Sequence, residues 1–221
     1  MGNVVAEAKR LSYIGETGWE LYVRPESAAQ AYGALHAAAE RAGVALTDAG
    51  YYALDALRIE KGMRAWGHEL DPSTTPLDAG MKWAVAWNKE SDFIGRDALF
   101  EQRERVETEG HDQRIVSLVL DEATEPMLWG GEPIAFSATG DPAQYDIVGL
   151  TTSAAYGHTV GAPVALGYIR PPPSVARTKA ERAAFYKRRP LESGAAGNGQ
   201  FFALIGQDVV PASMRLGPAL K

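Results

Sequence analysis

Tyr13 and Glu20 stand on either side of Gly15-Glu16-Thr17-Gly18, a segment whose glycines suit a turn. If the flanking runs pair as strands, an aromatic ring and a carboxylate meet near the end of one hairpin. Such a pair suits a flat heterocycle. The ring packs against its face, and the carboxylate accepts two parallel hydrogen bonds from an amidine-like N–H edge. On spacing alone the plainer alternative is preferred, a half-buried sheet tyrosine and a solvated glutamate. Arg58, in Leu57-Arg58-Ile59-Glu60-Lys61, has the fork geometry to grip a ligand carboxylate. Locally it is read first as half of an i,i+3 or i,i+4 surface pair, for instance with Asp55.

Other chemistries find little support. His36, His68, His111 and His158 sit in no metal-ligand spacing, so no metal centre is expected. Ser153 lies outside any nucleophile-elbow pattern, and Gly130-Gly131 opens no helix that could cradle a phosphate. The chain has no cysteine, which excludes disulfides, thiolate metal sites and a cysteine nucleophile. A net charge of -6 and scattered aromatics argue against nucleic-acid partners. No apolar run reaches the roughly 18 residues of a membrane-spanning helix, and residues 1–10 lack the pattern of a signal peptide. A cytoplasmic protein without a membrane partner is expected.

The elements that must position these residues follow from periodicity. Residues 11–14 and 19–23 read as the two strands of the hairpin. A helix follows, opened by Pro25-Glu26-Ser27, rich in alanine and stopped by Gly43; Thr47 or Asp48 caps a second, ended by Gly62. Thr75-Pro76 reads as a cap with proline in the first turn. Residues 81–87 alternate as a strand, with Trp83, Val85 and Trp87 on one face. A charged helix then runs from 92 to about 106. Polar residues 107–113 form the expected linker between a domain over 1–106 and one over 114–221. In the second, runs at 115–120, 133–136, 147–152, 163–169 and 201–205, punctuated by Gly, Pro and Asp, predict a small β-barrel or sandwich. Residues 178–187 read as a helix inside a long interruption, and the Gly/Ala-rich stretch 192–200 is expected to be mobile. The fold class is thus α+β. Strand-like sequence begins almost at once, which reads as the continuation of something upstream.

Ser12-Tyr13-Ile14-Gly15-Glu16-Thr17-Gly18-Trp19-Glu20 closely resembles the first signature of the glycine-cleavage T-protein (aminomethyltransferase) family. The run from Ala53 through Arg58 to Gly62, then Trp66-Gly67-His68-Glu69-Leu70-Asp71, Thr75-Pro76-Leu77-Asp78-Ala79-Gly80 and Asp92-Phe93-Ile94-Gly95-Arg96 follow in family order. Gly131-Glu132-Pro133-Ile134, Val148-Gly149-Leu150-Thr151-Thr152-Ser153 and Leu166-Gly167-Tyr168-Ile169 are similar to the family's C-terminal barrel. The wording around Arg58 looks closest to the folate-binding half of sarcosine and dimethylglycine dehydrogenases. Ser12 and Ile14 depart from the first signature, and Leu54 stands where many T-proteins have arginine.

The resemblance implies part of a folate-binding domain followed by the barrel. It implies tetrahydrofolate as cofactor, Tyr13 and Glu20 at the pterin, and Arg58 assisting at folate. It also implies that the catalytic aspartate lies upstream, so that no catalytic residue is assigned here and catalysis by this chain alone is expected to be weak or absent. The flavin-binding domain of the dehydrogenases is not recognisable. The family activity is transfer of a one-carbon unit from an amine of the glycine, sarcosine or dimethylglycine type to tetrahydrofolate. Two alternatives stay open: a non-catalytic subunit needing an upstream half or flavin-containing partner chain, and a folate-dependent demethylase of an ether or sulfonium donor.

Overall fold

The computed structural model describes residues 4–121, 127–187 and 199–220. The chain divides into two compact units, residues 1–58 and 59–221. In the first, β1 (Ala6–Lys9) pairs antiparallel with β2 (Glu20–Val23), and α1 (Ala28–Ala42) follows, ended by Gly43 in the left-handed conformation. The second helix, α2 (Tyr51–Glu60), begins in this unit. The backbone carbonyl of Gly50 accepts from the amides of Ala53 and Leu54, whereas Asp48, expected as a cap, accepts instead from the Tyr32 hydroxyl at 2.7 and 2.8 Å.

The first strand of the hairpin is not the run at 11–14. The Ser12 hydroxyl accepts from the amides of Ile14 (3.3 Å) and Glu16 (3.1 Å), drawing them away from a strand ladder. The earlier run 6–9 pairs with β2 instead, and 10–19 becomes the loop between them. Residues 81–87 also depart from expectation. Their alternation meets no neighbouring strand; Lys82–Ala84 is a 3-10 turn, and the Trp87 indole N–H donates to the Lys82 carbonyl at 2.8 Å. The charged helix α3 (Arg96–Glu109) runs on into the segment read as linker.

The second unit centres on a closed barrel. Its strands are β3 (Arg114–Leu120), β4 (Pro133–Ser137), β5 (Asp146–Gly157), β6 (Ala162–Ile169), β7 (Gln200–Ile205) and β8 (Asp208–Arg215). All neighbours are antiparallel, in the order β3-β6-β5-β4-β7-β8. Inward side chains from every strand, among them Leu118, Ile134, Val148, Ile169, Phe201 and Met214, make one apolar core. Helix α4 (Lys179–Tyr186) joins this core. It starts on a capping box between Thr178 and Glu181 and inserts Phe185 and Tyr186. Phe136, Phe185 and Phe201 meet with ring centroids 4.9–5.5 Å apart. Burying each such ring stabilises by roughly 1.5–3 kcal/mol. The stretch expected to be mobile lies, as far as residue 198, outside the described residues.

Where α3 hands over to β3, His111 is half-buried beside Arg114, Asp112 and Lys82, with the Tyr186 ring edge-on at 6.3 Å. Burial, reinforced by the Arg114 charge, pushes its pKa down to about 4. The unfolded chain keeps the ordinary value near 6.5. It therefore binds the proton first, and stability is full above about pH 6.5 and lost as pH falls toward 4. Urea unfolding should show about 1–2 kcal/mol less stability at pH 4 than at pH 7 from this group, after discounting for solvent screening. His111→Gln should remove that share; an unchanged pH profile in the variant refutes the assignment.

Candidate functional site

In the first unit, Tyr13 lies in loop 10–19 and is 45% exposed. Leu11 and Gly18 bring the two arms of this loop together. A Cβ at Gly18 would sit 3.0 Å from the Leu11 carbonyl oxygen, a tight contact that favours glycine there. Gly15, at φ 71°, supplies the bend between Tyr13 and the returning arm. Glu20 stands where that arm enters β2, paired in register with Lys9. Tyr13 and Glu20 thus share one connection, though only Glu20 is on a strand.

The Glu20 carboxylate is exposed and already has one protein partner, the Tyr22 hydroxyl, which donates to its Oε2. That bond and the carboxylate charge raise the Tyr22 pKa. Lys9 lies over the Tyr22 ring at 4.6 Å and pairs with Glu7 at 3.4 Å. Glu20 therefore belongs to a small polar cluster with open access, and its Oε1 edge is available to a donor from solution. Tyr22 did not stand out in the sequence. Its only signal is the i,i+2 spacing from Glu20, which puts both on one face of β2.

Arg58 is 1% exposed, and its Nε donates to Asp55 Oδ1 at 2.7 Å. The i,i+3 pair read from the sequence is present, but with a buried arginine rather than a surface one.

The residues after Arg58 belong to the second unit and explain the rest of that helix's wording. Ile59 joins an apolar cluster with Val164 and Leu166. Glu60, 1% exposed, accepts from the amides of Thr159 and Val160, each at 2.8 Å, and so ties the helix end to the β5–β6 turn. Arg64 donates to the carbonyls of Ala79 (2.9 Å) and Gly62 (2.7 Å). Glu69 is also 1% exposed. Its Oε2 accepts from the Ala65 amide at 2.9 Å, while its Oε1 accepts from the hydroxyls of Thr152 (2.9 Å) and Ser153. A register shift in β5 between Thr151 and Ser153 accompanies the delivery of two consecutive hydroxyls to one carboxylate. The outcome is a rigid turn, 65–70, with Trp66 left 70% exposed. Among the described residues no group of His, Asp and Glu is arranged to hold a metal ion, and no helix is long and apolar enough to cross a membrane.

Comparison with known proteins places this geometry. Residues 1–89 match the family model described as the GCVT N-terminal domain, and residues 113–193 match the glycine cleavage T-protein C-terminal barrel domain. Dimethylglycine dehydrogenase of Mus musculus mitochondria is 38% identical over 170 residues, which is 76% of this chain and 18% of that protein. An aminomethyltransferase of Streptomyces coelicolor is 37% identical over 171 residues, 77% of this chain and 43% of the relative. The crystal structure of glycine cleavage system aminomethyltransferase T from Bartonella henselae superposes with a TM-score of 0.69 at 22% identity, covering 96% of this chain and 49% of that one. That likeness concerns the fold. The chain spans less than half the length of each of these relatives.

Proposed function

Because the chain belongs to the glycine cleavage T-protein family, we propose that it is the tetrahydrofolate-binding part of an aminomethyltransferase-like protein. The one observation that carries the reading is the exposed Glu20 carboxylate at the mouth of the loop that displays Tyr13. A pterin presents adjacent N–H donors along one edge, and a carboxylate is the side chain that accepts two of them in parallel. The ring of Tyr13 offers a face for the heterocycle. Arg58, held by Asp55, assists folate as a fixed buried cation.

Tetrahydrofolate, when bound, supplies the nitrogen that takes up the one-carbon unit. The family activity passes a one-carbon unit from a donor to that nitrogen. The chain's own residues bind and orient; none is assigned to the bond-breaking step. The donor, whether a glycine-, sarcosine- or dimethylglycine-type amine or an ether or sulfonium compound, is not selected by Tyr13, Glu20 or Arg58.

Isothermal titration of the full chain with tetrahydrofolate tests the reading. Glu20→Gln should weaken binding at least about tenfold, since it replaces one acceptor oxygen with a donor. Tyr22→Phe should bind as well as the parent or better, because it releases the carboxylate. Equal affinity of Glu20→Gln and the parent, or no binding by the parent, overturns it.

A second reading, a subunit completed by a partner chain, is favoured by one separate observation. None of residues 4–55 is buried, while Trp19, Leu21, Tyr22, Tyr32 and Leu35 are exposed. Co-expression with a polypeptide carrying an aminomethyltransferase N-terminal half should then give a stoichiometric complex in sedimentation; two independently sedimenting species would refute it.

A further inference from the structure

Three guanidinium groups gather at one end of the barrel. Arg114 opens β3, Arg170 follows β6, and Arg182 lies on α4 one turn before the core residue Tyr186. The α3–β3 connection ties them together. Arg182 Nη1 donates to Asp112 Oδ1 at 2.7 Å. Arg170 sends both Nε (3.1 Å) and Nη2 (2.9 Å) to the neutral oxygen of Gln113. Arg114 Nε, although buried, meets no acceptor among the described residues, and neither does Nδ1 of its neighbour His111. Burial lowers the Arg114 pKa, the mark of a cation whose charge is poorly offset.

Two carboxylates face the same place, and both are engaged. Asp112 is held by Arg182, and Asp146 accepts from the Ser174 hydroxyl at 2.8 Å. With Asp112 and Asp146 engaged in this way, the Arg170 guanidinium is left with a neutral partner and no carboxylate. A cleft of about 680 Å³ opens here, lined by Asp112, Asp146, Ile147, Arg170, Pro172 and Arg182 among others. Ile147 and the prolines give it an apolar wall, which strengthens any charge pairing beside it. Barrel mouths are common seats for small ligands.

We propose that this barrel-mouth cleft binds a small oxyanion, the carboxylate or phosphate group of a metabolite, through Arg170 and Arg182. A guanidinium carries five donors in a planar fork that matches either group. Arg170 spends two of its donors on a neutral acceptor that a charged oxygen readily outcompetes. The inference concerns the second unit and does not rest on folate binding by Tyr13 and Glu20.

The full chain is titrated calorimetrically at low ionic strength with inorganic phosphate and, separately, with glutarate. Saturable binding of at least one is expected, weakened tenfold or more by Arg170→Gln. Arg170 is exposed and, among the described residues, its side chain is hydrogen-bonded only to Gln113, so the variant keeps its fold. Arg105→Gln, on the exposed side of α3, makes the same change in net charge and should leave binding unaltered. Saturation by phosphate alone assigns a phosphate ligand, by glutarate alone a carboxylate ligand, and by both a general oxyanion site. Failure of both anions to saturate, or equal weakening by Arg170→Gln and Arg105→Gln, overturns the proposal.

Discussion

Gly149→Ala is expected to open the barrel. A Cβ at this position would lie 1.8 Å from the Tyr168 carbonyl oxygen, 2.9 Å from its carbon and 3.0 Å from the Ile169 Cα. All three atoms are backbone of β6, the strand that pairs with β5 here, so no side chain can swing aside. Ordinary overpacking costs about 1–3 kcal/mol. Separating two paired strands in a closed barrel costs more, roughly 3–5 kcal/mol, a large share of a typical domain's stability. Gly33→Ala is the contrast. Gly33 lies in α1 with nothing within 4 Å of an added Cβ, and alanine there should be neutral or stabilise by up to about 1 kcal/mol. Urea unfolding followed by circular dichroism reads both. A parental midpoint for Gly149→Ala would show that β5 and β6 do not approach as described.

Glu69→Ala should be nearly as damaging. It strips the acceptor from the Ala65 amide and from the hydroxyls of Thr152 and Ser153 in a place closed to solvent. Buried donors left without partners cost about 1–3 kcal/mol each before relaxation, so a total near 3–5 kcal/mol is expected. Glu69→Gln keeps the shape and one oxygen and should lose about half as much. Trp66 adds a second readout, because the turn that carries it is held by this carboxylate. Its near-ultraviolet dichroism should fade in Glu69→Ala at urea concentrations where the barrel persists. An unchanged midpoint would deny the carboxylate its place in the joint.

The barrel was the most legible part of the sequence. The runs at 115–120, 133–136, 147–152, 163–169 and 201–205 all fall within β3 to β7, because each is short, apolar and bounded by turn residues. The eighth strand escaped because Pro211 interrupts it; the chain tolerates the proline, which pairs with Phe202 while Val210, Ala212 and Met214 point into the core. Alternation misled at 81–87, where Trp83 is 80% exposed and period two reports no buried face. Around Tyr13 the competing signal was a single hydroxyl, that of Ser12. Tyr13 and Glu20 were legible as a pair only through the family's wording, since spacing alone favoured an ordinary hairpin. Glu69 was illegible for another reason. Its hydroxyl partners lie 83 and 84 residues away, and no local pattern reports a contact at that range.

The lack of buried side chains over residues 4–55 has a thermodynamic consequence for any ligand of Tyr13 and Glu20. Segments with few buried contacts open at a free energy far below that of the whole molecule. A ligand that needs loop 10–19 and β2 in one arrangement must supply the ordering free energy from its own contacts, and its measured affinity falls by that amount. Whatever body covers this surface would meet that cost beforehand. Folate affinity and partner association would then be linked quantities, each strengthening the other by the same factor.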